Sequence, residues 1–245
     1  MNGKLIRRVV HLLLPTSCAL CGAGSDDTLC AACVDQFFGP AAAVPRCPCC
    51  ANPVVAGATL CGHCIAARPA FDRTVVACDY ALPVDQLVLQ LKFGHRLALA
   101  ALMARRLADV VSAATAADGS PGALPDLLCP VPLGPRRLAQ RGYNQALEIA
   151  RPLARSLGVA LHARLVARIR ETAAQSSVAP EDRRANIAGA FAVPAPALAL
   201  VRGRHIGVVD DVMTSGGTLD EMAATLKRHG AARVSNLVFA RTPPH

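Results

Sequence analysis

The sequence predicts an α/β fold carrying a small cysteine-rich module near its N-terminal end. Three observations predict it. Apolar runs bounded by turn residues alternate with segments of helical periodicity from about residue 69 onward. The run Ile206–Val209 leads through two acids, Asp210 and Asp211, into a hydroxyl- and glycine-rich turn, and a helix follows. Ahead of all this, eight of the eleven cysteines form four C-x-x-C pairs. At 245 residues the chain has room for one α/β domain plus a small module, and the expected division is 1–68 and 69–245. Apolar residues make up 53% and charged residues 18%, a globular composition and not a disordered one.

Residues Met1–Leu14 place Lys4, Arg7 and Arg8 before a short apolar stretch that His11 interrupts. No small-x-small cleavage site follows, so an amphipathic helix packed on the next module is expected instead of a signal peptide. No stretch is apolar for long enough to span a bilayer. A cytoplasmic location without stable membrane insertion is therefore expected.

The pairs Cys18/Cys21, Cys30/Cys33, Cys47/Cys50 and Cys61/Cys64 each supply two thiolates from one tight knuckle, with Gly22, Gly62 and Pro48 beside the knuckle turns. Two knuckles complete a tetrahedral metal site, which suits zinc, with iron as the other candidate. The simplest arrangement is two sequential four-cysteine sites, residues 18–33 and 47–64; pairing first with third and second with fourth is the alternative. A disulfide framework would need an oxidising compartment. Four thiolates leave no open coordination position, so the metal's role is structural: so few apolar anchors hardly fold without it. Cys78 and Cys129 fall in strand-like runs and read as core residues, whereas Cys49 has no evident task.

Beyond the cysteines, Phe71–Tyr80 reads as a strand, 84–93 as a short helix stopped by Gly94, and 97–111 as a longer helix. Ser112–Pro125, rich in Ala, Gly, Ser and Pro, reads as a loop. Leu127–Leu133 is a buried strand leading to Gly134-Pro135-Arg136-Arg137. Asn144 caps a helix running to about Leu157, in which Pro152 predicts a kink or early break. Arginines beside a strand end suit pyrophosphate, because a planar guanidinium bridges two oxygens. The polar stretch 168–186 has the character of a lid closing over substrate. The last strand spans 233–240.

The segment Asp210–Thr218 carries the chemistry. A strand, a small-residue turn and a helix aim free N–H groups and a helix N-terminus at an anion. Gly216 and Gly217 allow close backbone approach, and Thr214, Ser215 and Thr218 add hydroxyls. Thr218 and Glu221 have capping-box spacing, which puts the helix start at the end of the turn. Two acids repel a phosphate but suit a neighbouring polyol, such as ribose hydroxyls, or a cation-loaded group. The reading is a sugar phosphate. Neither G-x-x-x-x-G-K-[ST] nor a post-strand G-x-G-x-x-G is present, so P-loop and dinucleotide-binding folds lack support.

The Asp210–Thr218 pattern resembles the signature of type I phosphoribosyltransferases, which bind phosphoribosyl pyrophosphate (PRPP) with Mg²⁺. The resemblance implies that Asp210 and Asp211 meet the ribose hydroxyls and act at the reaction centre, while Thr214, Ser215, Gly216, Gly217 and Thr218 hold the 5′-phosphate. Over nearly the whole chain the sequence is similar to the ComF family of competence-associated, phosphoribosyltransferase-like proteins. The shared features are the four C-x-x-C pairs, Leu91-Lys92-Phe93-Gly94, Pro130–Leu133, Arg141–Gln145, Thr172 with Gln175, Arg184 with Asn186, Gly189-Ala190-Phe191 and Ala240–Pro243. This likeness implies a type I phosphoribosyltransferase-like parallel sheet flanked by helices, with an N-terminal zinc ribbon. It further implies a pyrophosphate-side loop of Val131, Pro132, Leu133 and Arg137, and a lid containing Thr172, Gln175, Arg184 and Asn186. Gly217 stands where alanine is common in the family, Tyr143 where phenylalanine is, and Ser177 where the lid is usually apolar.

The formal charge of +9 favours anionic partners, although the arginines are spread along the chain. Aromatics are only 3%, which argues against base stacking as the main source of nucleic-acid affinity but not against a groove that tracks the backbone. The resemblance to the ComF family implies two alternative functions. One is a PRPP-binding protein of DNA uptake that transfers the phosphoribosyl group. The other is a non-catalytic competence protein that binds single-stranded DNA or the uptake machinery.

Overall fold

The computed structural model describes residues 17–42, 44–119, 123–170 and 187–243. The amphipathic helix expected over 1–14 and the lid residues Thr172, Gln175, Arg184 and Asn186 lie outside the described residues.

The chain forms helix α1 (Ala31–Phe38), helix α2 (Gly62–Ala66), strand β1 (Arg73–Asp79), helices α3 (Asp85–Phe93) and α4 (Ala98–Asp118), and strand β2 (Leu127–Pro130). Helices α5 (Pro135–Arg141) and α6 (Gln145–Leu157) follow, then short strands β3 (Ala160–Leu161), β4 (Ala167–Arg168) and β5 (Phe191–Ala192). Helix α7 (Leu198–Val201), strand β6 (His205–Met213), helix α8 (Gly217–Arg228) and strand β7 (Arg233–Arg241) complete it.

Five strands make one parallel sheet in the order β1-β7-β6-β2-β3. A parallel sheet is covered on both faces, so its central strands are apolar throughout. Accordingly β7 is buried from Val234 to Arg241, whereas edge strand β1 alternates. On one face α3, α4 and α6 pack Leu87, Leu91, Met103, Leu107, Ile149 and Leu153 against Val209 and Phe239. On the other, α8 packs Leu219, Met222 and Leu226 against Val208, Val234 and Val238. The cysteine segments contribute to both cores: Cys18 and Cys33 to the first, Cys47, Cys49, Cys50 and Cys64 to the second.

Several local expectations change. The segment 112–118, expected as loop, continues α4 to Asp118, because Ala113, Ala114, Ala116 and Ala117 favour a helix and the left-handed Gly119 ends it. Residues 135–141 form helix α5, with Pro135 at its first turn, where a missing N–H costs nothing. Pro152 does not end α6, which runs to Leu157; five of its residues among 146–154 lie in the core and outweigh the one lost backbone bond. Gly62 opens α2 and does not sit in a knuckle turn.

The sheet order locates a crevice. From β6 the chain crosses through α8 to β7 on one side, and from β2 it crosses through α5 and α6 to β3 on the other. The gap at the carboxyl ends of β6 and β2 is thus a topological switch point, where open α/β sheets bind ligands.

Candidate ribose-phosphate site

At that switch point the parallel register pairs Pro130 with Val209, and Val131 N–H donates to the Val209 carbonyl at 2.9 Å. Val131, Pro132 and Leu133 thereby leave β2 beside Asp210 and Asp211. Asn144 secures this loop from behind: its Nδ2 donates to the Val131 carbonyl at 3.0 Å, and its Oδ1 accepts the Ala146 N–H as the expected cap of α6.

Asp211 is buried and ringed by cations and donors. Lys92 Nζ lies 2.5 Å from its Oδ2 and Gln145 Nε2 donates to its Oδ1 at 3.3 Å. Arg141 donates in turn to Gln145 Oε1 at 2.5 Å, and its guanidinium lies 5.3 Å from the centre of the Phe93 ring. Asp210 faces the crevice, and its Oδ1 accepts the Asp211 N–H at 2.9 Å. Burial would raise both carboxyls, but the adjacent Lys92 draws Asp211 below the usual carboxylate range. Burial and the neighbouring Asp211 charge hold Asp210 well above it. The adjacent acids therefore shift in opposite directions, Asp211 toward the ionised form and Asp210 toward the protonated one.

The turn after β6 exposes Thr214 and Ser215, and Gly216 at φ +87° caps α8. A Cβ at Gly216 would stand 2.6 Å from Met213 Cε and be strained by the backbone as well, so glycine is required. Asp210, Met213, Thr214, Gly216, Thr218 and Leu219 line a small recess of about 20 Å³ at this turn. The helix starts at Gly217, so Thr218 stands inside it and the capping box expected of Thr218 and Glu221 is not formed. Glu221 Oε1 instead accepts the Gly189 N–H at 3.2 Å and pairs with Arg228 at 3.1 Å. It thus ties α8 to the base of the segment expected as a lid, which β4 and β5 flank as an antiparallel pair.

Arg137 is half-buried on α5, at the far end of the Val131–Leu133 loop. Lys92, Gln145 and Arg141 join the site without having been expected there. Their signal is present in Leu91–Gly94 and Arg141–Gln145, but only the fold brings them to Asp211.

The cysteines form two sequential groups, Cys18/Cys21/Cys30/Cys33 and Cys47/Cys50/Cys61/Cys64, with all Sγ atoms of a group within 4.8 Å of one another. The crossed pairing is thereby excluded. Sγ separations of 3.7 Å for Cys21–Cys30 and 3.4 Å for Cys50–Cys61 are close to the ~3.8 Å edge of a tetrahedron with zinc–sulfur bonds of ~2.3 Å. All eleven cysteines are free thiols. Burial pushes Cys33 up to about 12 and Cys50 up to about 11, whereas at Cys18 and Cys47 knuckle N–H groups outweigh burial and bring the thiols down to about 6 and about 7. Cys49 is buried and donates to the Phe71 carbonyl at 3.8 Å, so it packs the module against the sheet. Cys78 and Cys129 are core residues, as expected.

No helix among the described residues is long and apolar enough to cross a membrane. The family model "Phosphoribosyl transferase domain" matches residues 144–244 and "Double zinc ribbon domain" matches 9–67. The chain is 39% identical to DNA utilization protein YhgH of Salmonella typhi over 81% of its length and 85% of that protein. It is 38% identical to the YhgH of Escherichia coli strain K12, covering 80% and 84%, and 30% identical to competence protein F of Haemophilus influenzae, covering 87% and 90%. With a double zinc ribbon followed by a phosphoribosyltransferase-like sheet, the chain belongs to the ComF/YhgH family.

Proposed function

We propose that the protein binds PRPP with Mg²⁺ in the β2–β6 crevice and serves the uptake and use of external DNA. The observation that carries the reading is the pair Asp210 and Asp211 at the switch point, directly ahead of the turn into α8. In this reading Thr214, Ser215, Gly216, Gly217 and Thr218 take the 5′-phosphate on backbone N–H groups and hydroxyls. Asp210 and Asp211 accept from the ribose hydroxyls. Val131, Pro132, Leu133 and Arg137 face the pyrophosphate. The names of the relatives supply the cellular role. Transfer to an acceptor would break the bond from ribose C1 to pyrophosphate and form one from C1 to the acceptor's nucleophile, whose proton leaves to solvent. The site's contribution would be positioning and charge stabilisation of the departing pyrophosphate.

Calorimetric titration of PRPP–Mg²⁺ tests this. Wild type should bind, and Asp210→Ala/Asp211→Ala should weaken binding roughly 100-fold, the loss of both carboxyl contacts to the ribose. No binding by wild type would remove the basis of the proposal. A pH series adds a check. Because Asp210 holds its proton above the usual carboxylate range, affinity should rise with pH as it ionises and then level off. Asp210→Asn should abolish that slope. Single-stranded oligonucleotide binding at low salt, with and without charge reversal at Arg136 and Arg137, tests the non-catalytic DNA-binding alternative.

A further inference from the structure

Arg241, the last residue of β7, is 6% exposed, and its guanidinium spends its donors on main-chain oxygens of three separate segments. Nε donates to the Cys50 carbonyl at 3.2 Å. Nη1 donates to the Met213 carbonyl at 3.1 Å, to the Thr214 carbonyl, and to the Thr242 carbonyl at 2.7 Å. Cys50 belongs to the second tetrad, while Met213 and Thr214 are the root of the turn that lines the recess. The Thr242 N–H reinforces the same point, donating to the Met213 carbonyl at 3.0 Å. One rigid planar cation therefore joins a metal-binding knuckle to the phosphate turn.

Among the described residues its charge has no carboxylate of its own. The acid opposite it in the sheet register, Asp79, is committed to Arg46 at 2.9 Å. A buried cation needs compensation beyond carbonyl dipoles. Four thiolates around one divalent metal carry a net negative charge, and the second tetrad stands one residue's backbone away. The first tetrad's ion-pair tie to the α/β body runs from Asp27 to Arg105 on α4, remote from the turn.

We propose that Arg241 is a positioning residue coupling the second tetrad to the phosphate turn, so that metal held by Cys47, Cys50, Cys61 and Cys64 and anion bound at 214–218 reinforce each other. The inference rests on the PRPP reading for its ligand. Coupling between two sites is reciprocal, so each ligand raises the affinity of the other by the same factor.

The test uses the full-length, zinc-loaded protein. A metallochromic chelator follows zinc release with and without saturating PRPP–Mg²⁺. PRPP should slow release from the second tetrad roughly tenfold and leave the first unchanged. In Arg241→Met the PRPP effect should vanish, and PRPP affinity should fall by a similar factor. A residue that only supported folding would not make zinc release depend on PRPP. Equal zinc release with and without PRPP in a wild type that binds PRPP overturns the coupling and leaves the PRPP site standing. Should wild type bind no PRPP, the functional reading fails first. Amide exchange over 213–218, compared before and after the second metal is stripped from wild type, then decides the coupling alone. Faster exchange supports it, and unchanged exchange overturns it.

Discussion

Cys18–Cys33 and Cys47–Cys64 repeat one local design. In each, the first cysteine's N–H bonds the carbonyl five residues on, Ala23 or Asn52, and the third cysteine caps a helix that carries the fourth. The fourth residue after the first cysteine has positive φ in both, Gly22 at +75° and Ala51 at +59°. The surroundings then diverge. The first tetrad exposes Cys21 and is tied to α4 by the Asp27–Arg105 pair, in which both side chains are nearly half exposed. The second shares a core with Phe71, Val131 and α8 residues, and it is tied by Arg46 to Asp79 and by Arg241 to the turn after β6. An identical metal-binding motif can thus be a brace with an exposed tie or a strut to the turn after β6, depending on which side of the sheet it meets.

Metal removal should give the largest contrast, since structural zinc contributes on the order of 10 kcal/mol to such modules. A chelator should strip the two metals in two phases, the exposed first tetrad leading. Cys21→Ser should delete the fast phase and Cys61→Ser the slow one, with total zinc falling by one in each. A single phase would erase the distinction.

Cutting the anchors comes next. Arg46→Ala removes an ion pair with Asp79 and a 3.1 Å bond to the Ala51 carbonyl, both partly buried, and should cost about 2 kcal/mol in denaturant unfolding. Asp27→Ala removes a pair open to solvent and should cost less than about 1 kcal/mol, shrinking further in salt. The Arg105 guanidinium draws the Asp27 carboxyl down to about 2, so that small contribution is present above the usual carboxylate range and is lost as pH falls toward 2. Equal costs for the two substitutions would contradict the assignment of brace and strut.

The smallest effects concern the knuckle turns. Nothing lies within 4 Å of a Cβ at Gly22, so Gly22→Ala should cost only the left-handed backbone penalty, about 1 kcal/mol. Ala51→Gly relieves that same penalty and should stabilise by about 0.5 kcal/mol or less, because the unfolded chain gains freedom. Thermal unfolding of both variants measures the pair; Ala51→Gly being strongly destabilising would show that the Ala51 methyl has a packing role.

Much of this architecture is legible along the chain, and the exceptions have identifiable reasons. The cysteine spacing, the Asn144 cap and the strand-turn-helix at 206–229 are readable because each is satisfied by hydrogen bonds or ligands within a few residues. The loop expected over 112–118 is helical because the alanines there outweigh the Ser and Thr between them. The Thr218/Glu221 box does not form although its spacing is right, since Glu221 has a longer-range claim from Gly189 and Arg228.

By itself the sequence determined the two tetrads, the glycine-rich turn after β6 and the paired acids, all products of short-range geometry. Only the tertiary structure decided that Lys92 draws Asp211 below the usual carboxylate range while burial raises Asp210, that Gln145 and Arg141 complete that network, and that Arg241 reaches both Cys50 and Thr214. The physical reason is that charge and burial act through space. A carboxylate's partner is set by which helix the sheet places above it, and no spacing along the chain records that.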